Sequence, residues 1–168
     1  MTFEPVPTAE EPAPAGSPQN TSPAPGDGIH KFVSFFFGER QYAVPAHSVA
    51  EVVGHLTPTK LPDSTSALLG IAPLRGDIVA VVDPGTTRSC TVQHSKQKTV
   101  VLRPSNSVEL PVAFKVDRLG EILKIAVHQI RPSTVADPLA EFESTVDDKH
   151  VLLISASRIH DLLSAPAS

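Results

Sequence analysis

The chain reads Leu69-Gly-Ile-Ala-Pro-Leu-Arg-Gly-Asp-Ile-Val-Ala-Val-Val-Asp83 near its middle, and this stretch decides the fold class. Two apolar runs flank Arg75 and the turn residues Gly76-Asp77, a pattern that predicts a β-hairpin. An arginine held between two strands is exposed on a rigid scaffold, which suits recognition of a partner. It also suits a structural ion pair, for which Glu51 is the candidate, and both interpretations can hold together.

Further short strands surround this hairpin on both sides. The sequence predicts a first hairpin at 32–37 and 42–44, a strand at 51–53, a third hairpin at 98–102 and 108–116, and a last strand at 151–154. Pro73 lies inside an expected strand, which indicates a sheet edge or a bulge. Helical spacing occurs only at 64–69 and at 157–163, the latter with Ser157 as N-cap.

An internal repeat relates the two halves of the chain. Residues 42–53 align with 112–123 at an offset of 70, so that Glu51 meets Glu121, and Pro62 meets Pro132 at the same offset. Residues 79–82 align with 151–154 at an offset of 72. A unit of roughly 65–70 residues buries a limited core. We therefore expect two small β-barrels packed together.

The first 30 residues differ in composition from the rest. They hold seven of the 17 prolines, four acidic residues and no Lys or Arg, so the net charge of -4 lies entirely there. They have few aliphatic residues to offset an ordering entropy of about 1–2 kcal/mol per residue. The sequence predicts a disordered, Pro-rich acidic tail at 1–30, more plausibly a spacer than a recognition motif, a folded domain at 31–163 and a short tail at 164–168.

The composition excludes several classes of protein. One cysteine, Cys90, cannot form an internal disulfide or a cysteine zinc site, and no apolar run reaches the roughly 18 residues that span a bilayer. A slightly acidic chain is a poor candidate for binding nucleic acid. Catalytic and phosphate-binding motifs are missing, and Asp147, Asp148 and His150 are interpreted as a solvated turn rather than a metal site. We expect a cytoplasmic protein that is not an enzyme and has no cofactor, metal or membrane insertion.

The stretch 69–83 resembles the Gly-[VI]-x-Asn-Leu-Arg-Gly pattern of the CheW-like domain family of bacterial chemotaxis coupling proteins. The resemblance covers about Lys31 to Leu163. It continues through the segments 35–45, 49–53, 61–62, 112–122 and 151–154. The chain departs from the family pattern at Pro73, Ala80, Pro84, Ala113 and Ser155, so it resembles a divergent member.

The resemblance implies a mostly β fold of two five-stranded, SH3-like barrels around a shared core, with a short C-terminal helix. One subdomain would hold about 31–85 together with the C-terminal strand, and the other about 98–155. It also implies a non-catalytic adaptor that couples the cytoplasmic tip of a chemoreceptor to the regulatory domain of a CheA-type histidine kinase. A different hypothesis stays open: a stand-alone interaction or regulatory domain, repurposed for another protein partner or a small ligand.

Site residues follow from the same resemblance, position by position. Arg75 and Glu51 would belong to the receptor-facing region. Val49 and Gly70 would fall on positions tied to coupling between kinase and receptor, with Ile122 as the second-half counterpart. Both the residue pattern and the resemblance therefore indicate Arg75 and Glu51.

Overall fold

The computed structural model describes residues 28–64, 67–84, 97–106 and 108–164. These residues form eleven strands and one α-helix, with 3-10 turns at Ala46–Ser48 and Val127–Gln129. The elements are β1 (Ile29–Phe37), β2 (Arg40–Pro45), β3 (Val49–Val53), β4 (Leu68–Leu74), β5 (Asp77–Val82), β6 (Lys98–Leu102), β7 (Val112–Val116), β8 (Arg118–Ala126), β9 (Arg131–Pro132), β10 (Phe142–Val146), β11 (Lys149–Leu153) and α1 (Ala156–Ser164).

Several predictions fall outside the described residues. They are the predicted tail up to residue 27, Cys90 and the last four residues of the chain. β1 begins at Ile29 and α1 ends at Ser164, so the folded part extends slightly beyond the predicted limits 31 and 163 at both ends. The helical turn predicted at 64–69 is wrong in its described part, because Leu68 already begins β4.

The strands form two sheets. The six-stranded sheet has the order β8-β1-β2-β11-β10-β9, and the five-stranded sheet has the order β3-β6-β7-β5-β4. Thr59, which follows β3, forms a bridge to Ile71 in β4, so the two edges of the five-stranded sheet approach each other. The predicted mostly β fold with two sheet units and a short C-terminal helix is confirmed. The six-stranded sheet exceeds the expected five strands by the two-residue β9.

Some boundaries and assignments of the prediction need correction. The β4–β5 turn is centred on Arg75-Gly76 rather than Gly76-Asp77, because Leu74 pairs with Asp77. Ser157 is not the N-cap of α1, since the helix begins at Ala156. The edge position expected for Pro73 is confirmed, because β4 ends the five-stranded sheet.

The internal repeat appears in the pairing of the strands. We define the first repeat as β1–β5 and the second as β6–β11. Tyr42 in β2 pairs in parallel with Leu152 in β11, and Val112 in β7 pairs in parallel with Ala80 in β5. These two pairs correspond at the offsets of 70 and 72 that the sequence shows. Each repeat therefore pairs its second strand with the last strand of the other repeat.

The remaining strands follow the same exchange. β1 pairs with β8 and β6 pairs with β3, each with a register shift at the corresponding place, at Val33/Phe35 and at Val49/Glu51. Each sheet thus combines the first two strands of one repeat with the later strands of the other. Pro132 lies in β9 while Pro62 lies in a turn, so their alignment at an offset of 70 is wrong as a structural equivalence.

Sheet membership divides the chain differently from the expected subdomain limits. The strands on either side of the gap between 85 and 98, β5 and β6, lie in the same sheet. The pairings that join them run through β7. The split into 31–85 and 98–155 stays a prediction about subdomains and does not describe the sheets.

The core has three parts. The central core lies between the two sheets, where the rings of Phe35 and Phe114 meet at 5.3 Å between centroids. Burying one such large apolar side chain contributes about 1.5–3 kcal/mol. Two smaller clusters fill the individual sheets, so the small interior of each unit is supplemented by the shared core. They comprise Phe32, Ala43, Ile125, Val151 and Leu153 in one sheet, and Ala72, Val79, Val81, Val101 and Ala113 in the other.

Candidate interaction site

An exposed ion pair joins the β4–β5 turn to β3. The Nε of Arg75 lies 3.0 Å from Oε2 of Glu51, which confirms the pairing that the sequence offered as one interpretation. The arginine side chain is 76% exposed and the glutamate side chain 30%. Since β3 and β4 are opposite ends of the five-stranded sheet, the pair links its two edges. At this exposure it contributes only about 0–1 kcal/mol to stability.

The backbone at Arg75 is unusual for this residue type. Arg75 has a φ of 52° and Gly76 a φ of 93°, as a two-residue hairpin turn with two positive φ angles requires. Such turns favour Asn, Asp or Gly, and the left-handed conformation costs an ordinary residue about 1–2 kcal/mol. A strained arginine whose ion pair stabilises little points to a role for its exposed guanidinium outside the fold.

An exposed aliphatic residue lies beside this arginine. Ile78, the second residue of β5, is 51% exposed and pairs with Pro73. An arginine next to exposed apolar surface is typical of the centre of a protein interface. Ile78 gives no signal of its own in the sequence, because it resembles the buried residues that follow it in the same apolar run. The turn and its flanks therefore expose both a guanidinium and an aliphatic side chain.

Gly70 has a structural reason to be glycine. It is buried, its φ is 142°, and a Cβ atom there would overlap the carbonyl of Thr59. Thr59 and Ile71 exchange two backbone hydrogen bonds of 2.7 and 3.0 Å across this contact. Gly70 thus permits the approach of the two edges of the five-stranded sheet at Thr59.

Val49 and Ile122 lie in different sheets. Val49 begins β3, is half-buried and packs against the central core. Ile122 lies in β8, at the edge of the six-stranded sheet, and is 66% exposed. The strand register makes Ile122 the equivalent of Val52 rather than of Val49. The structure therefore groups Arg75, Glu51, Val49 and Gly70 in one sheet, and leaves Ile122 in the other.

Polar side chains outside the candidate site are held by contacts within the protein. Nε2 of His150 lies 3.3 Å from a carboxylate oxygen of Glu143. The backbone N–H of Thr134 lowers the pKa of Glu143, and the Thr134 hydroxyl and His150 act in the same direction. Within the described ranges, no three His, Cys, Asp or Glu side chains are placed to hold a metal ion. The described helical segments also include none with the length and apolar character to cross a membrane.

One cavity lies apart from the predicted site residues. Its volume is about 450 Å³, and it is lined by Phe36, Arg40, Val135, Lys149 and others. None of the predicted site residues lines it. The candidate site is therefore an exposed surface on the five-stranded sheet and no part of this cavity.

Comparison with known proteins gives a consistent result. The family model of the CheW-like domain matches residues 31–163. "Chemotaxis protein CheW" of Helicobacter pylori is 25% identical over 153 residues, which cover 90% of this chain and 83% of that protein. "Chemotaxis protein CheW" of Thermotoga maritima is 27% identical over 113 residues, 66% of this chain and 74% of that protein. The crystal structure of the scaffolding protein TtCheW from Thermoanaerobacter tengcongensis superposes with a TM-score of 0.70 at 23% identity, covering 84% of this chain and 97% of that chain.

Proposed function

The chain belongs to the CheW-like domain family, and we infer from this that it is a non-catalytic cytoplasmic scaffold for chemotaxis-type signalling. In its full form, the proposal is an adaptor that couples the cytoplasmic tip of a chemoreceptor to the regulatory domain of a CheA-type histidine kinase. The names of the relatives support this direction. Catalysis, a cofactor and a nucleic acid have no part in the proposal.

The exposed Arg75–Glu51 pair is the observation that carries the receptor side of this proposal. The guanidinium of Arg75 is mostly exposed, and the turn that holds it is strained. The exposed Ile78 follows three residues later. A guanidinium in such a setting can form charge-assisted hydrogen bonds with an acidic or carbonyl-rich partner surface. We assign Arg75 and Glu51 to the receptor contact on this basis.

The other predicted residues have different parts in the proposal. Gly70 and Val49 maintain the shape of the five-stranded sheet from inside, so they act on coupling by positioning the turn. Ile122 is on the edge strand β8 and presents an apolar side chain directly to solvent. Exposed edge strands with apolar side chains pair readily with similar domains. We therefore assign Ile122 to the kinase side.

Binding to the two purified partners tests the proposal. The full chain is titrated calorimetrically with the regulatory domain of the kinase and with a fragment of the receptor tip. We expect Arg75→Glu to weaken receptor binding at least tenfold, with kinase binding unchanged and the melting temperature within a few degrees. Arg158→Glu, an equal charge change on the exposed face of α1, serves as the matched control.

Two outcomes would contradict this assignment. A well-folded protein that binds neither partner rules out the adaptor and favours a domain repurposed for another protein. A large loss of thermal stability in Arg75→Glu favours a purely structural ion pair. A neighbouring kinase and receptor in the genome support the adaptor, and their absence supports the repurposed domain.

A further inference from the structure

One buried histidine in the C-terminal helix has no part in the scaffold proposal. His160 lies in α1 and is 4% exposed, the only buried histidine among the described residues. Neither ring nitrogen, Nδ1 or Nε2, has a hydrogen-bond partner of good geometry, and the backbone of Arg103 approaches the ring without satisfying both of them. Buried polar groups are nearly always paired, so two unpaired nitrogens in one side chain require an explanation.

The helix covers the central core with the same face. Ile159 is fully buried in that core, and Leu162 and Leu163 pack against it from the next turn. The core beneath contains residues of both sheets, among them Tyr42 and Val82. α1 is therefore a lid of nine residues over the junction of the two sheets.

Few charges face the imidazole. Asp161 is its neighbour on α1, and the backbone of Arg103, after β6, lies near the ring. The guanidinium of Arg103 donates to the carbonyl of His47. β5, the strand that α1 contacts, carries Asp77 at its start and is followed by Asp83. Burial lowers the pKa of His160, while the Arg103 carbonyl and Asp161 oppose this without offsetting it.

From this arrangement we propose that α1 is a pH-dependent lid, docked on the central core while His160 is neutral and released when its imidazole takes up a proton. A neutral imidazole is tolerated in an apolar setting, whereas an imidazolium buried without partners is strongly disfavoured. Release places the ring in water, where a histidine titrates near 6.5. Mild acid therefore uncovers Ile159, Leu162 and Leu163 together with the core beneath them.

The direction of the pH dependence follows from the number of protons that the docked and released states of α1 bind. The docked state binds fewer protons than the released state in the range below the ordinary histidine pKa of about 6.5. The ratio of docked to released helix thus falls by up to tenfold for each pH unit in that range. At pH values above that range, the docked state of α1 is fully favoured.

Amide hydrogen exchange on the full chain, corrected for intrinsic rates, tests the lid directly. Between pH 7 and pH 5 we expect the α1 amides to lose protection relative to the β2 amides, by up to about 25-fold. His160→Leu removes this loss, and His128→Leu, at an exposed histidine, keeps it. Equal loss of protection in α1 and β2, no loss at all, or the same loss in His160→Leu would each overturn the proposal.

An independent measurement needs no variant. NMR titration of the imidazole Cε1–H signal of His160 should give an apparent pKa below the ordinary histidine value of about 6.5. A value at or above about 6.5 contradicts a neutral buried imidazole and with it the lid. Neither measurement depends on a kinase or receptor, so the lid and the adaptor can fail separately.

Discussion

The two repeats turn at their last hairpins in the same way but differ in the charge of the residues in the turn. The first tip, Arg75-Gly76, has φ angles of 52° and 93°, and the second tip, Asp147-Asp148, has 49° and 61°. The first tip follows β4 and the second follows β10, and the residues that flank the two tips pair in corresponding register. The backbone is therefore dictated by the fold, while the side chains at the tip are free to differ. The tips are therefore where the two repeats differ in charge on an equivalent backbone.

The strands behind the tips extend this contrast. Glu51 and its equivalent Glu121 recur at the offset of 70. Glu51 meets Arg75, whereas Glu121 belongs to the repeat whose tip carries Asp147. One tip is thus a paired, neutral surface, and the other has a pair of acidic residues in its turn.

The largest effect is expected where the two edges of the five-stranded sheet approach each other. Gly70→Val places a branched side chain where the carbonyl of Thr59 lies, at a φ that L residues rarely adopt. We expect a loss of about 3 kcal/mol or more in the free energy of unfolding, or no folded protein. Phe142→Val at the position that pairs equivalently in β10 is the control, with a smaller loss because its side chain is 38% exposed. Urea unfolding followed by circular dichroism measures both, and similar losses would contradict the closure argument.

The next-largest effect concerns a buried hydrogen bond that one repeat has and the other lacks. The Tyr42 hydroxyl donates to Oδ2 of Asp137 at 2.7 Å, and Asp137 also accepts from the backbone N–H of Leu139. The equivalent of Tyr42 in the second repeat is the apolar Val112. Tyr42→Phe leaves a nearly buried carboxylate with one partner fewer, so unfolding should become easier by about 1–3 kcal/mol. If the free energy of unfolding changes by less than the error of the denaturation curves, the hydrogen bond contributes nothing measurable to stability.

The same hydroxyl gives a pH prediction. Burial, and then the hydrogen bond to Asp137, raises the pKa of Tyr42 to about 12. An unfolded tyrosine titrates near 10, so this stability is fully present below about pH 10 and is lost as pH rises toward about 12. Because the chain has one tyrosine, its ultraviolet absorbance reports this group alone. Tyrosinate absorbance near pH 10 in folded protein would contradict the burial of the hydroxyl.

The strands found from sequence and the strands missed differ in what surrounds them. β1, β5 and β6 were recognisable because buried apolar residues follow each other between turn residues. β8 was missed because most of its residues are exposed, and its place in the sheet depends on backbone pairing with β1. β10 was missed because its residues Phe142–Val146 include three polar ones. Local hydrophobic pattern carries no signal for strands that are stabilised mainly by their neighbours.

The exchange of strands between the repeats could not be predicted from the sequence, for a related reason. The repeat itself is visible in the aligned residues, but which copy pairs with which depends on parallel contacts about 30 to 110 residues apart in sequence. For the site, the recurring glutamate led to Glu51 and the turn led to Arg75. Ile78 could not be found, because exposure within an apolar run is a property of the finished sheet.

A smaller effect on stability comes from relaxing the first tip. Arg75→Asn replaces a strained arginine by a residue that the turn favours, and it removes an exposed ion pair worth about 0–1 kcal/mol. These changes oppose each other, so the free energy of unfolding should move by less than about 1 kcal/mol in either direction. Receptor binding should fall nevertheless, because the guanidinium is gone. Lost stability of several kcal/mol, measured by urea unfolding, would mean that the arginine supports the fold.

The smallest expected effect tests whether the two tips are equivalent in space as well as in register. Asp147→Arg in the second tip should pair with Glu121 as Arg75 pairs with Glu51, because the strands behind both tips correspond. A double-mutant cycle with Glu121→Gln should give a coupling of about 0.2–1 kcal/mol, the range of exposed ion pairs. The coupling should weaken in high salt, as exposed pairs do. Zero coupling, with both single variants folded, would mean that the second tip lies out of reach of β8, so that the repeats diverge in shape and not only in charge.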